Sequence, residues 1–551
     1  MKEPPTLLAG WLETIRPWPA VFAPRRTFVR AARQALGSLL VLGRATLSRI
    51  VWTSGREQQS WSGEYFLHAR AAWAPQALCT PLLEQGLAFC PGKLVGVAVD
   101  DTRLRKTGRS IPQAAWHRDP MSPPFHTNLM LGLRFLQASL LVPLHRTGSF
   151  SARGIPIRFE EVSTVKKPAQ RASEETWAQY KADKKRLNLS QRFVQTMAQL
   201  RRALDTAGGE RKTLAIAGDG SFCNRTGWAT LPERTILLVR TRKDAKLCFA
   251  AVPGGRRVYA PDKFPPEQVR QDDPIPWQTT QLFYGGKRRK IRYKEVSQVL
   301  WQSGAKTRAL RVFVIAPTPY RKRKSSKLYY RQPAFLLSTD LSSSPRQLLQ
   351  IYLDRWQIEI NHREEKDTLG VGQAQLWNPT AVPKQPALVV AAYSALMLAA
   401  LQVFGAERGQ AYAQLPKWRR NARRPSCLDL ITLLRKEASQ HPQLVGPTRF
   451  SDRFCSLCRG SGSLKCRNSR HRQECLCYPR HWPLQALRRV LHDLRACLVV
   501  DRFKQNWYCV LHWFLHWPFL LAASASGRTA IRINPTITKR MQDPPKSWYR
   551  R

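Results

Sequence analysis

The apolar run Leu94-Val95-Gly96-Val97-Ala98-Val99 stops on two carboxylates, Asp100 and Asp101. Consecutive small and β-branched apolar residues predict a strand buried on both faces, which needs neighbouring strands and covering helices. Two further apolar runs of strand length occupy residues 128–136 and 138–144. Residues 170–206 are charged with helical spacing, and residues 212–218 form another apolar run, which ends on Asp219-Gly220. Strand, strand, strand, helix, strand is the order of a mixed α/β sheet.

Residues 234–317 alternate short apolar runs (235–239, 282–284, 299–301 and 312–315) with basic or Gly/Pro turns, a β-rich insertion. The basic run Arg321-Lys322-Arg323-Lys324 that follows reads as a solvated loop. The pattern becomes helical from Leu348 and again over 387–403. The most apolar stretch, 387–401, is 15 residues long, short for a bilayer span, and reads as a buried helix. Residues 27–90 are also helical, suited either to DNA binding or to capping the next domain.

A chain of 551 residues exceeds one ordinary domain, so two to four folding units are expected. Its 90 Lys and Arg face 37 Asp and Glu, a formal net charge of +53. A hydrophobic content of 43% excludes a disordered polycation. The excess charge runs along the whole chain, and such self-repulsion calls for a polyanion; DNA or RNA fits best, an anionic membrane less well. Residues 1–20 lack a charged start followed by an apolar run, so no secretory signal is expected. A reducing compartment follows, in which the 12 cysteines are thiols.

With acids this scarce, their placement carries information. Asp100 or Asp101 ends one strand and Asp219 another, while Asp354, Glu359, Glu364, Glu365 and Asp367 crowd one helix. Strand ends bring distant residues together, and carboxylates brought together repel unless a hard divalent cation joins them. Beside a nucleic acid, such a site suits two-metal phosphodiester chemistry. The plainer alternative is a turn at Asp219-Gly220 and a strand terminator at Asp100-Asp101. Tyr352, Arg355, Glu359 and Lys366 fall at about 0, −60, −20 and −40° on an ideal helix, one narrow stripe, with Glu364 at about 120° well off it. An aromatic, a carboxylate and two cations in one stripe suit a metal and the phosphates beside it; the alternative is a surface helix with an Arg355–Glu359 pair.

The spacing Tyr-x2-Arg-x3-Glu-x6-Lys at Tyr352, Arg355, Glu359 and Lys366 is similar to the YREK signature of bacterial insertion-sequence DDE transposases. Asp-Asp-Thr after the first strand and Gly-Asp-Gly after the later one resemble the first two acidic motifs of that family. The resemblance covers about residues 94–405. It implies a helical N-terminal region (1–93), a ribonuclease-H-like catalytic core (94–233), a β-rich insertion (234–345), the catalytic helix and end of the core (346–405), and a basic C-terminal region (406–551). It implies Asp100, Asp219 and Glu359 as the catalytic, metal-binding triad. Asp101 is the alternative to Asp100, which is favoured because it shares a strand face with Gly96 and Ala98, small enough for a helix to approach. Arg355, Lys366 and Tyr352 inherit contacts to DNA. Two Mg²⁺ ions, for which Mn²⁺ would substitute, are implied, as are double-stranded DNA (terminal inverted repeats and target), a homodimer on paired ends, no membrane, and a cytoplasmic, nucleoid-associated location. Some relatives hold a flipped base on an insertion-domain tryptophan; Trp277 and Trp301 lie in the insertion here, and core packing is the competing role for each.

Residues 451–551 hold seven of the 12 cysteines. Cys455-x2-Cys458, with Cys466, Cys475, Cys477, His471 and His481, has ligand types for zinc but no complete second knuckle. A zinc module, an ordinary helical extension and a frameshifted end are the three readings of this tail. Two rivals to the enzyme remain: a related metal-dependent nuclease, and an inactive transposase-derived DNA-binding protein.

Overall fold

The computed structural model describes residues 6–59, 61–119, 122–123, 125–126, 128–144, 152–323, 325–405 and 425–441. All of these belong to one compact unit. The cysteine-rich tail, with its candidate zinc ligands, lies outside the described residues.

Five helices come first: α1 (Leu7–Thr14), α2 (Arg25–Leu40), α3 (Leu47–Thr53), α4 (Ser62–Ala69) and α5 (Pro75–Leu87). The strands β1 (Leu94–Arg105), β2 (Ala115–Arg118), β3 (Leu129–Val142) and β4 (Arg153–Val162) follow. Helices α6 (Glu174–Arg186) and α7 (Leu189–Leu204) then lead to β5 (Thr213–Gly218), the short α8 (Arg225–Ala229), β6 (Thr235–Arg240) and α9 (Pro266–Gln271). The next strands are β7 (Gln278–Tyr284), β8 (Lys287–Trp301), β9 (Lys306–Ile315), β10 (Pro319–Tyr320), β11 (Tyr329–Tyr330) and β12 (Ala334–Ser338). Helices α10 (Pro345–Asp354), α11 (Trp356–Arg363), α12 (Ala381–Phe404) and α13 (Cys427–Gln440) complete the described chain.

One ten-stranded sheet organises the molecule, in the order β2-β3-β1-β5-β6-β12-β9-β8-β7, with β4 also on β3. Strands β1, β3 and β4 pair antiparallel in succession, whereas β5 and β6 lie parallel to β1. The two apolar runs at 128–144 are thus one strand, β3, with Gln137 at its centre. β4 gave no sequence signal: Gly154, Pro156 and Arg158 interrupt it. Pro156 is accommodated where the β3–β4 register shifts by a bulge, a place that tolerates a missing N–H.

The strands of the insertion continue the same sheet: β12 pairs antiparallel with both β6 and β9. Cations between its apolar runs do not break β8: Lys290 and Arg292 are exposed, alternating with buried Ile291 and Tyr293.

α12 is long and apolar enough to cross a membrane by length alone, but 83% of its most apolar window is buried inside the protein. It packs on β4, α1, α2 and α5, so the N-terminal helices cover it. Trp11 Nε1 donates to the Ala392 carbonyl at 3.3 Å, and the Leu8 amide donates to Glu437 at 2.7 Å, tying α1 to α12 and α13. The cysteines of the described residues (Cys79, Cys90, Cys223, Cys248 and Cys427) are all free thiols.

Candidate active site

The parallel pairing of β1 with β5 sets Val99 beside Gly218, so the next residues, Asp100 and Asp219, are neighbours. Asp219 follows the end of β5 as expected, but β1 does not stop on its carboxylates: pairing with β3 carries it on to Arg105, so Asp100 and Asp101 lie within the strand. Asp219 opens a short turn, accepting from the Ser221 amide at 2.8 Å and from the Ser221 hydroxyl at 3.3 Å. The Asp100 carboxyl is pushed up to about 7, first by burial and next by Asp219, with Arg355 pulling the other way. Asp101 points to the opposite face, where Arg134 Nε donates to it at 2.7 Å and Arg103 stands 3.6 Å away. One of the two adjacent carboxylates therefore joins an acid pair, and the other is neutralised by arginines.

The helical segment carrying the rest of the stripe lies over the Asp100 face. A Cβ added to Gly96 would meet Ile351 at 3.4 Å, and Ala98 packs with Ile351 and Ile358. Small residues on β1 thus let α10 and α11 come close. The segment is not one ideal helix. α10 ends at Asp354, Arg355 sits at the junction, and α11 passes into a π turn over Glu364–Thr368. The buried Glu365 and half-buried Glu364 of that turn each have a partner. Glu365 accepts from Gln137 Nε2 at 2.9 Å, and Glu364 accepts from the Tyr393 hydroxyl at 2.5 Å. Burial pushes the Glu365 carboxyl up to about 8, so it is held as a neutral acid at pH 7. Asp354 accepts from Gln350 at 3.0 Å, and Asp367 is exposed.

Arg355 and Glu359 form an ion pair, Nη2 to Oε1 at 2.7 Å. Burial alone would lower the Arg355 pKa; Glu359, and then Asp100 and Tyr352, outweigh it and raise it. Burial raises the Tyr352 phenol, which also feels Arg355, Arg240, Asp219 and Glu359. Lys366 is lowered by burial while it feels Glu365, Asp367, Arg103 and Asp100. Asp100, Asp219, Tyr352, Arg355, Glu359 and Lys366 therefore belong to one electrostatic neighbourhood.

Two further participants were not singled out from sequence. Gln137 is the cross-strand partner of Asp100 and donates to Glu365. Arg240 ends β6, one strand over from Asp219, since Val239 pairs with Gly218. Counting residues past each apolar run would have marked Arg240 as a strand-end cation; nothing in the sequence marks Gln137. Arg240 lines an open cleft of about 1220 Å³ with Asp219, Arg242, Lys243, Lys246 and Trp301. Trp301 packs edge-on against Trp228 at 6.5 Å, while Trp277 lies under Arg292 and Lys294.

Asp100 and Asp219 fit a divalent cation: two facing carboxylates, one of them strained toward its neutral form, gain from a hard cation between them. Arg355 occupies one oxygen of Glu359, so a cation taking Glu359 as a third ligand meets the guanidinium charge there. Among the described residues, no three acid, histidine or cysteine side chains already form a cluster that could hold a metal. A scan against protein-family models finds none that matches, and a search of curated proteins finds no relative.

Proposed function

We propose that this protein is a DDE transposase, which cleaves DNA at the ends of a mobile element and transfers the freed strand. The observation that carries the reading is the meeting of Asp100 and Asp219 across β1 and β5, beneath a segment that presents Tyr352, Arg355, Glu359 and Lys366. Three antiparallel strands followed by two parallel ones, with an acid within β1 beside another just past the end of β5, support a ribonuclease-H-like core.

Asp100, Asp219 and Glu359 would hold Mg²⁺, which when bound would supply charge neutralisation and an activated water. The chain's own groups do the rest. Arg355 can grip a phosphate through a two-pronged guanidinium contact, Lys366 adds a point charge, and the Tyr352 hydroxyl can donate to a phosphate oxygen. The net charge of +53 supplies sequence-independent attraction to duplex DNA. Paired ends imply a homodimer on DNA.

A second reading, a transposase-derived DNA-binding protein that no longer cuts, is favoured by the engagement of Glu359 with Arg355. Nicking of a labelled duplex from the DNA bordering the gene, in Mg²⁺, separates the two. The transposase reading expects cleavage that Glu359→Gln abolishes while duplex binding persists. Absence of cleavage by the wild-type protein in both Mg²⁺ and Mn²⁺, with duplex binding intact, would favour the second reading.

A further inference from the structure

Arg355 is placed as a cation among carboxylates. Its side chain is only 13% exposed, its Nη2 holds Glu359, and its charge interacts with Asp100. Its Nε is buried and has no hydrogen-bond partner. A donor left unpaired within the protein is free to take an acceptor brought by a ligand. Nε and Nη2 form one edge of the guanidinium, the edge that grips a phosphate with two parallel bonds. In this arrangement one prong of that fork is spent on Glu359 and the other is idle.

Charge points the same way. Asp100, Asp219 and Glu359 carry up to three negative charges, and Arg355 is the cation paired with Glu359 and interacting with Asp100. A phosphate brought to the site adds negative charge where carboxylates already repel it. If Arg355 turned to that phosphate, Glu359 would lose its partner and the acid group would need a replacement cation. A metal entering without the phosphate must instead compete with Arg355 for Glu359.

We propose that Arg355 is the resident counter-ion of the acid group in the DNA-free protein, and that it yields Glu359 to a divalent cation when a DNA phosphate engages its guanidinium edge. This rests on the reading of Asp100, Asp219 and Glu359 as metal ligands. Metal and DNA then bind with positive coupling, and each strengthens the other by the same factor. The device keeps the site unarmed until its substrate is present.

The test is a Mn²⁺ titration of the full-length protein followed by electron paramagnetic resonance of the free ion. It is run without DNA and with a 40-bp duplex bordering the gene, after subtraction of the ion held by the duplex alone. Wild-type protein should bind Mn²⁺ at least about tenfold more tightly with the duplex. Arg355→Gln should bind Mn²⁺ tightly without DNA and gain little from it. Arg355→Lys, which keeps the charge but loses the fork, should stay as weak as the DNA-free wild type. Thermal melting of each variant shows that it is folded. Wild-type Mn²⁺ affinity unchanged by the duplex, or Arg355→Gln no tighter than wild type, overturns the proposal. Glu359→Gln tells which idea has failed: if it abolishes Mn²⁺ binding, the metal site stands and only the role of Arg355 falls. If Mn²⁺ binding never depends on Glu359, the metal-site reading falls with it.

Discussion

Gln137 stands directly across the sheet from Asp100 and donates from its amide to the Glu365 carboxyl at 2.9 Å. Both Gln137 and Glu365 are buried, and Glu365 titrates at about 8, against roughly 4.3 for an ordinary glutamic acid. A carboxyl raised by folding contributes stability that is fully present below the unfolded pKa and is lost as pH rises through the folded one. Wild-type protein should therefore lose stability relative to Glu365→Gln between about pH 4 and pH 8, on the order of 1 kcal/mol per pH unit at most. Denaturant unfolding of both proteins at pH 5 and pH 8 measures it. A wild-type-minus-variant difference that does not change with pH would show that Glu365 is not held neutral.

Asp100 and Asp101 should separate cleanly on substitution. Asp100→Asn removes a member of the acid pair and should abolish strand cleavage without lowering duplex affinity. Asp101→Asn breaks the contact with Arg134, a charge-assisted bond, and should lower stability by about 1–3 kcal/mol while leaving cleavage measurable. Nicking rates and thermal melts of the two variants decide; abolished cleavage by Asp101→Asn with full activity of Asp100→Asn would reverse the assignment.

Acid should weaken the N-terminal helices through His68. Its ring bonds to Gln34 Oε1 at 2.8 Å, and Gln34 bonds in turn to Glu64. Burial first, then Lys384, pushes His68 down to about 3. A histidine held neutral stabilises the fold above its unfolded pKa, and that contribution is lost as pH falls from about 6.5 toward the folded value. From pH 7 to pH 5 the wild type should lose on the order of 2 kcal/mol that His68→Gln does not lose. Chemical denaturation at the two pH values is the measurement.

Helix α6 buries none of its residues, yet Lys181 and Lys184 share a stripe with Trp177 and Tyr180, within about 100° on the helix. It leaves the sheet after β4 and returns into α7, where Phe193 packs on Phe222, three residues past Asp219. Lys181→Glu with Lys184→Glu should leave the melting temperature nearly unchanged, because both are exposed and Lys184 makes only a cation–π contact, its Nζ 5.7 Å from the centre of the Tyr180 ring. The same change should lower the slope of log affinity for a 40-bp duplex against log salt by about 2. Equal slopes for variant and wild type would remove α6 from the DNA surface.

The acid pair was legible in the sequence because carboxylates directly after apolar strand-like runs are rare in a chain this poor in acids, although β1 runs on through its two carboxylates to Arg105. The helix face was legible in part. Gly96 and Ala98 announced where a helix could approach Asp100, but ideal helical spacing left Glu364 without a task. In the fold the helix widens into a π turn there. Glu364 and Glu365 are held by Tyr393 and Gln137, partners 29 and 228 residues away. Periodicity describes an isolated helix and cannot register a distortion imposed by such distant partners. β4 escaped for a related reason: its proline sits beside a bulge in β4 itself, where Ile157 has no partner on β3.

The insertion returns to the core through β12, which pairs directly with β6. Residues 241–333 are therefore no appendage that could be trimmed back to a shorter ancestor. Removing them together with β12 would strip the outer flank from Thr235–Arg240, a strand buried along nearly its whole length. The bared row of amides and carbonyls would invite pairing between molecules. The added strands thus act as a hem on the sheet that carries Asp100 and Asp219, and any shortened form must supply another selvedge or aggregate.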